Sequence, residues 1–218
     1  VEDVYMDADG DGQKEWRTIL VSGQGGGGKA YFALDITDPT KFSDLTAEQV
    51  VLWEFTDEDD TYPTDEFGDA LLADTDGDGV VDDQRQDLLS PARPAKDLGY
   101  TTSVPTLVMS NIVESDGENK WVAITGNGYN STAGIAKLLI LFLEGGLDSM
   151  WCHPDINHNV TPNGAYPNEC LEGDEQDFVK LDTGFGVESG LPNGLGEPRV
   201  IDADGNGTAD YAYAGDLQ

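Results

Sequence analysis

The sequence predicts an all-β fold made of sequential four-stranded antiparallel blades, a β-propeller. Three observations predict it: a loose internal repeat, an additional strand ahead of each copy, and an additional strand behind two of them. The repeat aligns "EWRTILVSGQGGGGKAYFALDIT" with "KWVAITGNGYNSTAGIAKLLILFL". Trp16 falls on Trp121, Gly23 on Gly126, and Lys29 close to Lys137. Each copy reads as strand, Gly-rich turn, strand. A third copy opens at "DYAYAGDLQ", with Tyr211 and Gly215 in the matching places.

The strands ahead of the copies are "VEDVYM", "SVPTLVM" and "EPRVID". Pro105 and Pro198 lead two of them, where the missing N–H removes no ladder hydrogen bond. The strands behind are "VVLWEF" at 50–55 and "DFVKLD" at 177–182. The unit is therefore four strands, present twice in full, with the start of a third. Apolar residues occupy both sides of the alternation, as expected of sheets stacked face to face. A β-sandwich would give similar strands but would not explain the repeat. The whole chain, 1–218, reads as part of one propeller domain. Residues 1–55 form a blade and 56–99 an acidic excursion. Residues 100–145 with 177–183 form the next blade, interrupted by a cysteine-containing excursion at 146–176, and 196–218 begin another. The chain opens and closes inside strand-like runs, so a segment of a longer protein is expected.

Composition narrows the function. There are 43 acids against 11 bases, a net charge of -32. Such a surface repels nucleic acid and anionic lipid and attracts divalent cations. A generally acidic, salt-adapted surface accounts for part of the excess. No run of 18 apolar residues is present, so no helical membrane span is expected. Neither GxSxG nor HExxH occurs, and no catalytic residue is assigned. "GQGGGGKA" at 23–30 has the spacing of a phosphate-binding loop. Ala30 stands where Ser or Thr must hold magnesium, and the following residues continue as a strand. A hairpin turn is the better reading.

Three acidic loops carry the chemistry. Calcium takes six to eight oxygens, typically from closely spaced carboxylates and a backbone carbonyl. Asp at positions 1, 3 and 5 wraps carboxylates around one point, Gly at 6 permits the turn, and position 9 supplies another acid. The first loop offers Asp7, Asp9, Asp11, the carbonyl of Gln13, and Glu15. The second offers Asp74, Asp76, Asp78, the carbonyl of Val80, and Asp82. The third offers Asp202, Asp204, Asn206, the carbonyl of Thr208, and Asp210. A helix-loop-helix calcium switch also needs a bidentate Glu at position 12, where Thr18, Arg85 and Tyr213 stand instead. The flanks are β-rich, so these are strand-joining loops expected to bind Ca2+ as staples. On charge alone the third loop, with Asn206, ranks weakest. Set in a long excursion that must be ordered on binding, the second is expected to be weaker still.

The stretches "WRTILVSGQGGGGKAYFALDITDP", "WVAITGNGYNS" and "VIDADGNGTADYAYAGDLQ" resemble the C-terminal propeller of the PilY/PilC family of type IV pilus tip adhesins and assembly factors. The resemblance spans nearly the whole chain and is weakest in the two excursions. It implies a modified propeller similar to quinoprotein dehydrogenases, exported to the outer membrane surface, the pilus tip or the extracellular space. It also implies a nine-residue calcium loop acting on pilus extension and retraction; Glu15 and Asn206 depart mildly from that loop's pattern. Partners implied are minor pilins, other pilus tip proteins, the rest of the same chain, and a host or abiotic surface. In an exported protein Cys152 and Cys170 are expected to form a disulfide. A metal site at "CHPDINH", with His153 and His158, and two free thiols are the alternatives. The leading functional reading is a non-enzymatic calcium-binding segment. A calcium-dependent carbohydrate-binding propeller and a quinoprotein-type oxidoreductase are the competitors.

Overall fold

The structure, a computed structural model, describes residues 1–59, 96–113, 117–152, 176–183 and 193–216. Ten strands and three short 3-10 turns make up its regular structure, with no α-helix among the described residues. Strands β1 (Glu2–Met6), β2 (Glu15–Gly23), β3 (Ala30–Asp35) and β4 (Val51–Thr56) form one sheet in chain order. Strands β5 (Thr106–Val113), β6 (Asn119–Gly126), β7 (Lys137–Phe142) and β8 (Phe178–Asp182) form a second in the same way. Strands β9 (Arg199–Ile201) and β10 (Tyr211–Tyr213) form a two-stranded sheet. Every strand-to-strand pairing within these sheets is antiparallel. The expected all-β chain of sequential four-stranded sheets is thus present, and no closed sheet occurs among the described residues.

Alternation explains how the sheets stack. In β7, Leu139 and Leu141 face one way and Leu138, Ile140 and Phe142 the other, because successive strand residues point to opposite faces. The first set packs with Ala123 and Phe178 against Val4, Met6, Ile19, Val21, Tyr31, Ala33 and Phe55 of the first sheet. The second set packs with Val122, Ile124 and Val179 against Val200 and Ala209 of the last unit. The second sheet is therefore covered on both faces. Aromatic edges close the first interface: the Phe55 ring lies 5.0 Å from that of Trp151 and 5.2 Å from that of Phe178. The buried indole N–H of Trp53 donates to the Leu143 carbonyl (2.9 Å), and that of Trp151 to the Glu54 carbonyl (2.9 Å). These bonds tie each sheet to the backbone of the other.

The repeat has a physical cause in the chain entering each new sheet. Gly23 ends β2, and a Cβ there would sit 2.4 Å from the Thr101 carbonyl oxygen, in the segment leading to β5. Gly126 ends β6, and a Cβ there would sit 2.1 Å from the Leu195 carbonyl oxygen, in the segment leading to β9. Each glycine lets the incoming chain cross the sheet it has left. Hydrogen bonds hold both crossings: Gln24 N–H to Thr101 Oγ1 (2.8 Å) and Leu195 N–H to Asn127 Oδ1 (2.9 Å).

A buried ion cluster fastens the first of these segments. Asp97 Oδ2 accepts from Lys137 Nζ (2.8 Å) and Lys180 Nζ (2.5 Å), and all three side chains are at most 4% exposed. Asn127 reinforces it by donating to the Asp97 carbonyl (2.8 Å). Burial pushes the Asp97 carboxyl up, but Lys180 and Lys137 outweigh burial and hold it below its ordinary value. A depressed carboxyl stabilises the fold above its unfolded pKa of about 4, and that contribution is lost as pH falls through the folded value. Stability is therefore expected to fall as the solution is acidified below about pH 5. Asp97→Asn should lose about 3–5 kcal/mol at neutral pH, because it removes the carboxylate shared by two buried ammonium groups, while Lys137 keeps Asp182 at 3.6 Å. It should also flatten the acid limb. Urea unfolding between pH 3 and 7 measures both effects.

Candidate metal-binding loops

Two of the three acidic loops lie among the described residues, and they fold alike. The first, residues 7–15, joins β1 to β2; the third, 202–210, joins β9 to β10. Both therefore sit in the opening hairpin of a unit. Position 1 organises each loop. Asp7 Oδ1 accepts the N–H groups of Gly10 (2.8 Å) and Asp11 (3.2 Å), and its Oδ2 that of Gly12 (2.7 Å). Asp202 Oδ1 accepts those of Gly205 (2.7 Å) and Asn206 (3.2 Å), and its Oδ2 that of Gly207 (2.8 Å). Position 5 caps position 7 in both: Gln13 N–H donates to Asp11 Oδ1 (2.8 Å) and Thr208 N–H to Asn206 Oδ1 (2.8 Å). Such coiling needs left-handed backbone at positions 4 and 6. Gly10 and Gly12 have φ of 72° and 83°, and Gly205 and Gly207 of 79° and 91°.

Coiling brings carboxylates together. Oxygens of Asp7, Asp9 and Asp11 lie within 4.8 Å of one another, and so do those of Asp202, Asp204 and Asp210. The donors are all hard oxygens, which suits calcium better than a softer transition metal. The Gly207 N–H, ahead of those of Gly205 and Asn206, holds the Asp202 carboxyl below its ordinary value. The anionic form is thus favoured even at a fully exposed site.

Position 9 separates the loops. Asp210 returns to the start of its loop, where its Oδ2 accepts the N–H groups of Ala203 (2.7 Å) and Asp204 (3.3 Å). Glu15 stands outside the first carboxylate group and pairs with Arg17 at 3.0 Å. At position 5 the third loop has the neutral Asn206, whose side-chain oxygen accepts the Thr208 N–H as Asp11 accepts that of Gln13.

Both loops are rooted on the second sheet. Asp7 N–H donates to Glu144 Oε1 (2.9 Å), just beyond β7. Ala209 N–H donates to the Met109 carbonyl of β5 (2.8 Å), and Thr208 Oγ1 meets Asn111 Oδ1 at 2.8 Å. No local pattern signals Glu144, Asn111 or Arg17, because each acts across a sheet or an interface.

The remaining expected residues divide as follows. The second loop, Asp74, Asp76, Asp78, Val80 and Asp82, lies outside the described residues, as do Cys170, His153 and His158. Cys152 is buried, and the neck of its excursion is closed: its N–H donates to Asp177 Oδ2 (2.6 Å) and its carbonyl accepts from Asp177 N–H (2.9 Å). The Gly-rich stretch forms a 3-10 turn at Gly25–Gly27 and then enters β3, with no helix following to face a phosphate.

Fold and loops define a class first: a repeating antiparallel β protein whose hairpin turns gather hard-oxygen ligands. Comparison with known proteins is specific. The chain is 30% identical over 217 residues to a type IV pilus biogenesis factor PilY1 homolog of Xylella fastidiosa, covering 100% of this chain and 10% of that protein. It is 30% identical over 203 residues to PilY1 of Pseudomonas aeruginosa strain PAO1, covering 93% of this chain and 11% of that protein. Among solved structures it is similar to the Pseudomonas aeruginosa PilY1 C-terminal domain, with a TM-score of 0.52 and 30% identity, over 100% of this chain and 28% of that one. No family model matches. The chain is a C-terminal segment of the PilY1 family, and it spans about a tenth of the length of the curated relatives it matches.

The loop geometry makes a direct prediction. A Cβ at Gly207 would meet no atom within 4 Å, so the cost of Gly207→Ala is purely that of its left-handed backbone. The variant should lose about 1–2 kcal/mol of stability, whereas Gly215→Ala, equally open but without positive φ, should lose less. Thermal melts of both variants check this.

Proposed function

We propose that this chain is a non-enzymatic, calcium-loaded β-propeller segment of a type IV pilus biogenesis factor. The observation that carries the reading is the pair of carboxylate loops coiled alike around position 1, placed at the opening hairpin of the first and third units in a chain of the PilY1 family. Sheets stacked face to face in chain order, with the middle one covered on both sides, support blades of a propeller. The two loops would hold Ca2+ through Asp7, Asp9 and Asp11 and through Asp202, Asp204 and Asp210. Backbone N–H groups already fix Asp7 and Asp202, so little ordering is left for the ion to impose. The second loop is assigned the same role on its sequence pattern.

The relatives' name, type IV pilus biogenesis factor, supports a role in pilus biogenesis, and the same proposal extends to control of extension and retraction and to surface adhesion. Minor pilins and other tip proteins are the partners this implies, at an exported, pilus-associated location. No helix among the described residues is long and apolar enough to cross a membrane. The disulfide between Cys152 and Cys170 belongs to this reading, supported by the lack of a free cysteine among the described residues.

Converging carboxylates repel unless a cation joins them, and an ion that binds only the folded state stabilises it by mass action. Chelation should lower the melting temperature, and calcium should restore it better than magnesium, which sheds its water reluctantly. Identical melts in chelator and in calcium would refute the calcium reading. In a piliated bacterium, Asp7→Ala with Asp202→Ala in the full-length protein should reduce surface pili; unchanged piliation would refute the link to assembly. Melts of separate Asp7→Ala, Asp74→Ala and Asp202→Ala variants should place the second loop lowest in calcium stabilisation. Non-reducing peptide mapping should recover Cys152 linked to Cys170; two alkylatable thiols in the native protein would overturn the pairing.

A further inference from the structure

We propose that Arg17 is a resident cation of the first loop, which calcium must displace, so that this loop fills at a higher calcium concentration than the third. The inference rests on the calcium reading of the loops given above. It starts from one side chain. Arg17 Nη2 lies 3.1 Å from Asp9 Oδ2 and 3.0 Å from Glu15 Oε2. These residues are positions 3 and 9 of the loop, two of the carboxylates its pattern assigns to the metal. Arg17 Nη1 lies 3.4 Å from Oδ2 of the largely buried Asp35 on β3.

A guanidinium and a calcium ion held on the same two carboxylates repel each other. Arg17 also explains why Glu15 stands outside the carboxylate group of its own loop while Asp210, the same position in the third loop, lies inside. Among the described residues the third loop has no equivalent. Ala212 occupies the place of Arg17, two residues past position 9, and no ion pair among the described residues involves Asp202, Asp204 or Asp210. Arg199, on the neighbouring β9, pairs instead with Glu197 at 3.3 Å.

The arginine is poised to move. Its side chain is 16% exposed, yet its buried Nε–H has no hydrogen-bond partner. The present arrangement therefore leaves a donor unsatisfied, which lowers the cost of leaving it. Asp35 offers a partner that it keeps after release. The Asp35 Oδ1 is already fixed by the Thr37 N–H at 2.9 Å, so that partner stays in place. Calcium would exchange two exposed ion pairs for metal ligation and leave the guanidinium on β3. Exposed pairs are individually weak, and two of them together amount to about tenfold in affinity. The two loops would then fill in sequence as calcium rises, the third before the first. Because Asp7 is bonded to Glu144 of the next sheet, filling of the first loop acts at the interface between sheets.

The test is calorimetric titration of calcium chloride into the full chain carrying Asp74→Ala and Asp202→Ala, which leaves the first loop as the binding site. Adding Arg17→Gln should tighten calcium binding about tenfold. Adding Lys14→Gln instead, which removes a neighbouring cation that pairs with Glu118 at 3.4 Å, should change it less than about twofold. If Arg17→Gln alone fails to fold because Asp35 is left unpaired, Arg17→Gln with Asp35→Asn removes that charge and should show the same gain. Unchanged or weaker binding in the arginine variants, with binding in the parent, overturns the inference and leaves the calcium reading standing. An equal gain from Lys14→Gln overturns it in favour of bulk charge. Binding that appears only once Arg17 is removed supports it in its strongest form. No binding in parent or variants refutes the calcium reading of this loop and the inference with it.

Discussion

Burial of both faces of the second sheet is the constraint on which the rest of the structure depends. A strand whose residues are apolar on both sides needs two neighbours, and β6 and β7 meet that need with the first sheet on one face and the β9–β10 unit on the other. Stacking also dictates how the chain passes between sheets. The incoming segment must cross the sheet just left, and the crossing is close enough that only glycine fits at positions 23 and 126. The repeat in the sequence is the trace of that steric demand, made twice.

The loops inherit their position from the stack. Each lies at the opening hairpin of a unit and leans on the second sheet, the first through Glu144 and the third through Met109 and Asn111. Their internal scaffold is backbone N–H groups converging on Asp7 or Asp202, with paired glycines allowing the coil. Charge is thus concentrated at the seams between sheets. A cation bound there would act on the junction of two units rather than on a single hairpin. Arg17 adds an asymmetry that a count of acids misses, because one guanidinium holds two carboxylates of the loop with more acids. Loop charge is therefore set by neighbours as much as by ligands.

Polar groups inside the stack serve connection as well as charge. The Asp97 cluster joins the end of the acidic excursion to β7 and β8, and the side-chain amide of Asn127 bonds the carbonyls of Asp97 and Ile135. Buried ions are costly unless fully partnered, and here each member is bonded within the cluster. Its cost is met locally, and its effect is to fasten the Asp97 segment to β7 and β8.

The sequence by itself determined the strands, the four-strand unit and the acidic loops. Alternation, glycine spacing and the D-x-D pattern are local, and local periodicity survives without the partner that it needs. It also identified Gly23 and Gly126 as equivalent, though not why. Tertiary structure alone decided what those glycines touch, that Lys137 and Lys180 share Asp97, and that Glu15 belongs to Arg17 rather than to its loop. Asp97 and Lys180 are 83 residues apart, and Asp7 and Glu144 are 137 apart. No periodicity spans such distances. Burial and charge pairing across a seam depend on which faces meet, and that is fixed only when the sheets stack.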